Sequence, residues 1–178
     1  KEVKVVLNKN FPTPDNANQA AYTTLTNKGV QVVWASNGYT FTHAKTLVID
    51  SAKAVIMTMN LTYSSPTTNR EYIATDTDAQ DVADLEKVFE ADFTGKSVSV
   101  PSKLVISPAQ ANTLNPPRSQ LKQLIDSAKT SLEVEAESLA DDVIVDAIIL
   151  AHQANVKTRL IIDGDVSTST AELAAIKK

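Results

Sequence analysis

Residues 42–50 read Thr42-His43-Ala44-Lys45-Thr46-Leu47-Val48-Ile49-Asp50, residues 57–60 read Met57-Thr58-Met59-Asn60, and Glu71 follows. Stretches 40–49 and 54–61 are rich in β-formers and are joined by a short polar connection through Asp50 and Lys53, so together they read as a hairpin. Residues two apart on a strand share a face, which points His43 and Lys45 one way and Thr58 and Asn60 another common way. A two-residue turn at Ser51-Ala52 then sets His43 opposite Asn60 and Lys45 opposite Thr58, with facing Cβ atoms roughly 4.5–5.5 Å apart. A loop of odd length would break that register.

Four polar groups converging in this way suit a phosphate. Lys45 supplies a fixed positive charge, Asn60 and Thr58 supply neutral donors, and His43 supplies a nucleophilic or proton-transferring nitrogen near neutral pH. Donors around the equatorial oxygens favour a trigonal-bipyramidal phosphorus over the ground-state diester. The set calls for no metal and no cofactor. Asp50 falls on the opposite strand face from His43 and reads as structural support, either pairing with Lys53 or anchoring the turn.

Outward from the hairpin the chain alternates. Strands are expected at 3–8, 30–35, 71–75, 104–107, 132–136 and 156–163. Helices are expected at 16–28, closed by Gly29, and at 78–93, 118–129, 141–154 and 171–178, with loops at 11–15 and 63–69. This β-α-β-α order predicts an α/β fold with a mixed, largely parallel sheet flanked by helices on both faces. Residues 158–163 echo residues 3–8 at an offset of 155 (158 − 3), and Ala175 falls over Ala20. The chain then reads as 1–96, the back part of a first repeat; 97–102, a polar linker with Pro101; and 103–178, the front part of a second repeat. The counterpart of His43 would fall at 198 (43 + 155), past Lys178.

The 178 residues carry 17 Lys+Arg against 21 Asp+Glu, a formal charge of −4, which is the wrong sign for coating nucleic acid broadly. There is no cysteine, which excludes disulfides, thiolate zinc and a cysteine nucleophile but leaves the compartment undecided. No apolar run reaches the roughly 18 residues of a membrane span, so the expectation is a soluble protein, with secretion or the periplasm compatible. The start at Lys1-Glu2, without a methionine, suggests a trimmed or processed chain.

The spacing His-x-Lys-x4-Asp, with Asn ten residues after the Asp, resembles the HKD motif of the phospholipase D superfamily. Asn69-Arg70-Glu71-Tyr72 with the acidic helix ending Val88-Phe89-Glu90-Ala91-Asp92-Phe93 is similar to the segment closing an HKD repeat in cardiolipin-synthase-like members. Residues 104–108 with the following helix and strand resemble the start of their second repeat. The resemblance implies that His43 attacks phosphorus to give a phosphohistidine, that Lys45 and Asn60 hold phosphate oxygens, and that Glu71 orients a histidine by hydrogen bonding. It also implies a second HKD histidine that protonates the leaving group. His152, on a helix and without a Lys two residues on, is not that histidine. The missing half is expected from a downstream repeat or from a second copy in a homodimer. Thr58 and Met57 stand where the family often has Ser and Gly.

Bland readings stand beside these. His43 with Lys45 alone would pass for an ordinary hydrogen-bonded strand histidine, and only Asn60 and Glu71 at the family's distances turn the reading. Glu71 alone could be an edge-strand carboxylate facing water. Trp34, Tyr39 and Phe41 read as core or pocket wall, and Asp78, Asp81, Asp84, Glu86, Lys87 and Glu90 as a solvated helix face. The function expected is a metal-independent phosphodiester hydrolase or phosphatidyltransferase, with phospholipid slightly preferred. The alternatives are a nuclease of the same superfamily and a non-catalytic scaffold.

Overall fold

The computed structural model describes residues 1–9, 17–40, 42–100, 103–108 and 116–163. They divide into two compact units, Lys1–Leu104 and the residues from Val105 on.

The first unit begins with a β-α-β element made of β1 (Lys4–Leu7), α1 (Ala17–Asn27) and β2 (Gln31–Trp34), its two strands parallel with Lys4 beside Gln31 and Leu7 beside Trp34. Gly29, at φ 83°, ends the helix in a left-handed conformation that costs glycine little. Tyr22 of α1 stacks on Trp34 with ring centroids 4.3 Å apart, which ties helix to strand. An antiparallel sheet follows, β3 (Thr46–Ile49), β4 (Lys53–Met57) and β5 (Ile73–Asp76), with a short α2 (Ser65–Thr68) between its last two strands. Helix α3 (Ala79–Thr94) lays Val82 and Leu85 against Ala54, with Val48 and Leu104 closing the cluster. Asp78 caps α3 by accepting from the amides of Gln80 and Asp81, and Gly95 closes it at φ 68°.

The second unit holds α4 (Pro117–Asp126), β6 (Ser131–Ala136), α5 (Asp142–Gln153) and β7 (Lys157–Ile162). Strands β6 and β7 pair in parallel and alternate between half-buried and exposed positions. Leu132, Val134, Leu160 and Ile162 pack on a core of Ile125, Leu139, Ile144, Val145, Ala147 and Ile148. Arg118 bridges Asp141 and Asp142 at the head of α5, where the Asp141 carboxylate also accepts from the Ile144 amide. Burial opposes the charge on Asp141, but these partners outweigh it and hold its carboxyl below the usual range. No helix among the described residues is long and apolar enough to cross a membrane.

The α/β class holds, and the structure corrects its details. Among the described residues the strands form three short sheets, two of them parallel pairs and one antiparallel, so the sheet content is mixed. Residues 104–107 form no strand; Leu104 instead packs on the first unit's core. The loop expected at 63–69 contains the one-turn α2, with Pro66 in its first turn, where the missing amide is tolerated. Asp84 is fully buried instead of solvated, because Gln80 and Lys87 on its own helix both donate to its Oδ1. The helix expected at 171–178, the loop at 11–15, Phe41 and Pro101 lie outside the described residues.

Candidate active site

The hairpin forms, but one row out of the expected register. Thr46 faces Ile56 and Ile49 faces Lys53, so the loop holds the three residues Asp50, Ser51 and Ala52. Asp50 and Ser51 sit at φ 53° and 49°, and the Ala52 amide donates to the Ile49 carbonyl at 3.0 Å. Two successive left-handed residues match the right-handed twist of the flanking strands. Asp is among the residues that tolerate this conformation. Asp50 makes no ion pair with Lys53 among the described residues.

The shifted register replaces the expected facing pairs. The Met57 amide donates to the Lys45 carbonyl, so Met57, and not Thr58, stands beside Lys45. Lys45 immediately precedes β3, Thr58 immediately follows β4, and Tyr72 immediately precedes β5. Lys45, Thr58 and Tyr72 therefore lie at one end of the same three-stranded sheet. Upstream, the Thr42 amide donates to the side-chain carbonyl of Asn8 at the end of β1, which ties the segment carrying His43 to the parallel strand pair.

Two sets of side chains result. The Lys45 ammonium lies 3.0 Å from Nε2 and 3.2 Å from Nδ1 of His43. On the neighbouring strand ends, Thr58 Oγ1 donates to Glu71 Oε2 at 2.6 Å, and Asn69 Nδ2 donates to Glu71 Oε1 at 3.3 Å. The Thr58 amide donates to the Tyr72 carbonyl, but the Tyr72 amide returns its bond to Thr58 Oγ1 and not to the Thr58 carbonyl. A side chain thus takes the place of a ladder acceptor and ends β4 at Met57. Asn60, two residues on, is half-buried, and its amide makes no side-chain hydrogen bond among the described residues.

His43 and Thr58 are exposed, while Lys45, Asn60 and Glu71 are half-buried, so a small anion can reach the set. Met57, in the position where family members often have glycine, is 9% exposed and belongs to the packed interior. His152 is exposed on the last turn of α5 in the other unit. A hollow of about 230 Å³ in that unit, lined by Asp126, Ala128, Lys129, Leu150, Ala151, Ala154 and Val156, holds none of the candidate residues. Sequence reasoning missed Asn8 and Asn69 as site-shaping residues. For Asn69 the signal was present, since residues two apart in extended chain share a side and Asn69 stands two before Glu71.

Comparisons with known proteins follow the same line. No curated protein matches the chain. Among solved structures, polyphosphate kinase from Porphyromonas gingivalis superposes with a TM-score of 0.60 at 15% identity, over 91% of this chain and 26% of that one, so the chain spans about a quarter of its neighbour's length. At that identity the likeness concerns the fold alone. The family described as cardiolipin synthase, PLD-like domain, matches residues 1–93, the stretch that carries the hairpin, Glu71 and α3. The chain belongs to this phospholipase D-like family.

Proposed function

We propose that the chain supplies one catalytic half of a phosphodiester hydrolase or phosphatidyltransferase that works through a covalent phosphohistidine. Family membership supports phosphoryl transfer at the level of the superfamily. What supports the finer reading is the contact of Lys45 with His43 just before β3 and the hydrogen bond of Thr58 to Glu71 just after β4, both beside the same end of the β3–β4–β5 sheet.

The unprotonated imidazole nitrogen of His43 attacks phosphorus. A P–N bond forms as the P–O bond to the leaving alcohol breaks, and the alkoxide takes a proton from a second histidine. That histidine then removes a proton from water or an acceptor alcohol, whose oxygen attacks phosphorus and releases His43. Lys45 and the Asn60 amide stabilise charge on the equatorial oxygens, so positive charge comes from the protein itself. Glu71 holds a histidine in position by hydrogen bonding. The second histidine comes from a downstream repeat or from another copy of the chain, and phospholipid is the preferred substrate class.

The test is labelling by a phosphodiester carrying a phosphorus tracer. Acid-labile, base-stable label on the protein, lost in His43→Ala, is the expected result. A label that persists in His43→Ala removes that residue from the mechanism, and complete absence of label in the chain supplied with its second half favours the scaffold reading.

A further inference from the structure

The Thr58 hydroxyl has one proton, and at 2.6 Å that proton is directed to Glu71; its oxygen meanwhile accepts from the Tyr72 amide. Thr58 therefore has no donor left for a phosphate oxygen. Asn69 holds the other oxygen of the same carboxylate. We infer that Thr58 and Asn69 are positioning residues that clamp Glu71 from both sides, and that Thr58 is not a substrate-binding donor. The inference rests on the function proposed above, in which Glu71 orients a histidine.

The geometry explains why a clamp is useful. A glutamate has three side-chain torsions and, when it sits only half-buried, nothing in the packing selects among them. Two donors on opposite oxygens fix both the carboxylate's place and its plane. Each oxygen still has a second lone pair, so the clamped carboxylate can accept an imidazole N–H without releasing either holder. The clamp is anchored in the backbone, because the amide and carbonyl of Tyr72 bond the Thr58 hydroxyl and amide in turn. Thr58 follows directly on β4, and Asn69 caps the C-terminus of α2.

Two measurements on the full chain with its second half test this. In nitrogen-15 NMR, Thr58→Val and Glu71→Gln should each shift the Asn69 side-chain amide, and Thr58→Ser should restore it. An Asn69 signal unmoved by Thr58→Val overturns the clamp whatever the reaction proves to be. In turnover of bis(4-nitrophenyl) phosphate, Thr58→Val and Asn69→Ala should lower kcat by about 10- to 100-fold, the scale of a misplaced catalytic group, with KM within about twofold and Thr58→Ser near wild type. A raised KM at unchanged kcat would show the Thr58 hydroxyl holding substrate and overturn the assignment. An inert wild-type protein would defeat the proposed function and with it the catalytic use of the clamp, while the NMR result still decides whether the clamp exists.

Discussion

Asp84 shows how far a single residue can depart from the pattern around it. It stands in an acidic run on α3, yet it is fully buried with Oδ1 bonded to Gln80 and Lys87, and Oδ2 has no hydrogen-bond partner among the described residues. Burial alone would favour the neutral acid, but the Lys87 ammonium and the Gln80 amide prevail and hold its carboxyl below the usual carboxylate range. A carboxylate more acidic in the folded than in the unfolded chain adds stability above the unfolded value, and that stability is lost as pH falls through the lower folded value. Asp84→Asn should therefore flatten the acid limb of the stability curve below about pH 4, read by urea titrations at a series of pH values; an unchanged limb would show that the carboxylate is not preferentially charged in the fold. The helical spacing of Val82 and Leu85 was legible in the sequence, and the burial of Asp84 was not. Its partners are three and four residues away on the same helix, and only packing decides which face is covered.

At the scale of elements, the hairpin turn decides the site. The residues on each strand were readable, since the period of two is a property of extended chain, but the register depends on loop length, and the loop takes three residues where two were expected. The left-handed pair Asp50 and Ser51 suggests a direct check. Asp50→Asn should keep stability within about 0.5 kcal/mol, whereas Asp50→Val should cost about 1–2 kcal/mol, because a branched Cβ crowds the backbone at positive φ. With Asp50 confined to the turn, Asp50→Asn should also retain His43 labelling, and loss of label in a stably folded Asp50→Asn protein would give the carboxylate a chemical role. Asp78, expected within the solvated face of helix α3, instead caps it. Asp78→Ala should cost about 1 kcal/mol in urea unfolding, and a cost near zero would mean that water replaces the cap.

For the molecule as a whole, the charge of −4 bears on the choice of substrate. Binding dominated by released counterions requires many phosphate contacts, and an acidic chain lacks the broad basic surface for them. Duplex DNA should compete poorly against a phospholipid substrate at ~150 mM salt and only slightly better at 50 mM, because few contacts give a shallow salt dependence. Strong competition with a steep salt slope would move the preference to nucleic acid. Adding the downstream sequence should raise phosphodiester hydrolysis over the 178-residue chain alone, and equal rates would point to a second copy as the source of the partner histidine. By itself the sequence determined the order of the strands and helices apart from residues 104–107 and the one-turn α2, and it offered His43, Lys45, Asn60 and Glu71 as a candidate set. All of these follow from local periodicity, local backbone preference and the residues themselves. Tertiary structure alone decided that Met57 sits beside Lys45, that Thr58 turns its proton to Glu71, and that Leu104 joins the first core. Each of these is a contact between segments distant in the chain, where packing and hydrogen-bond competition choose among partners that the sequence leaves equally available.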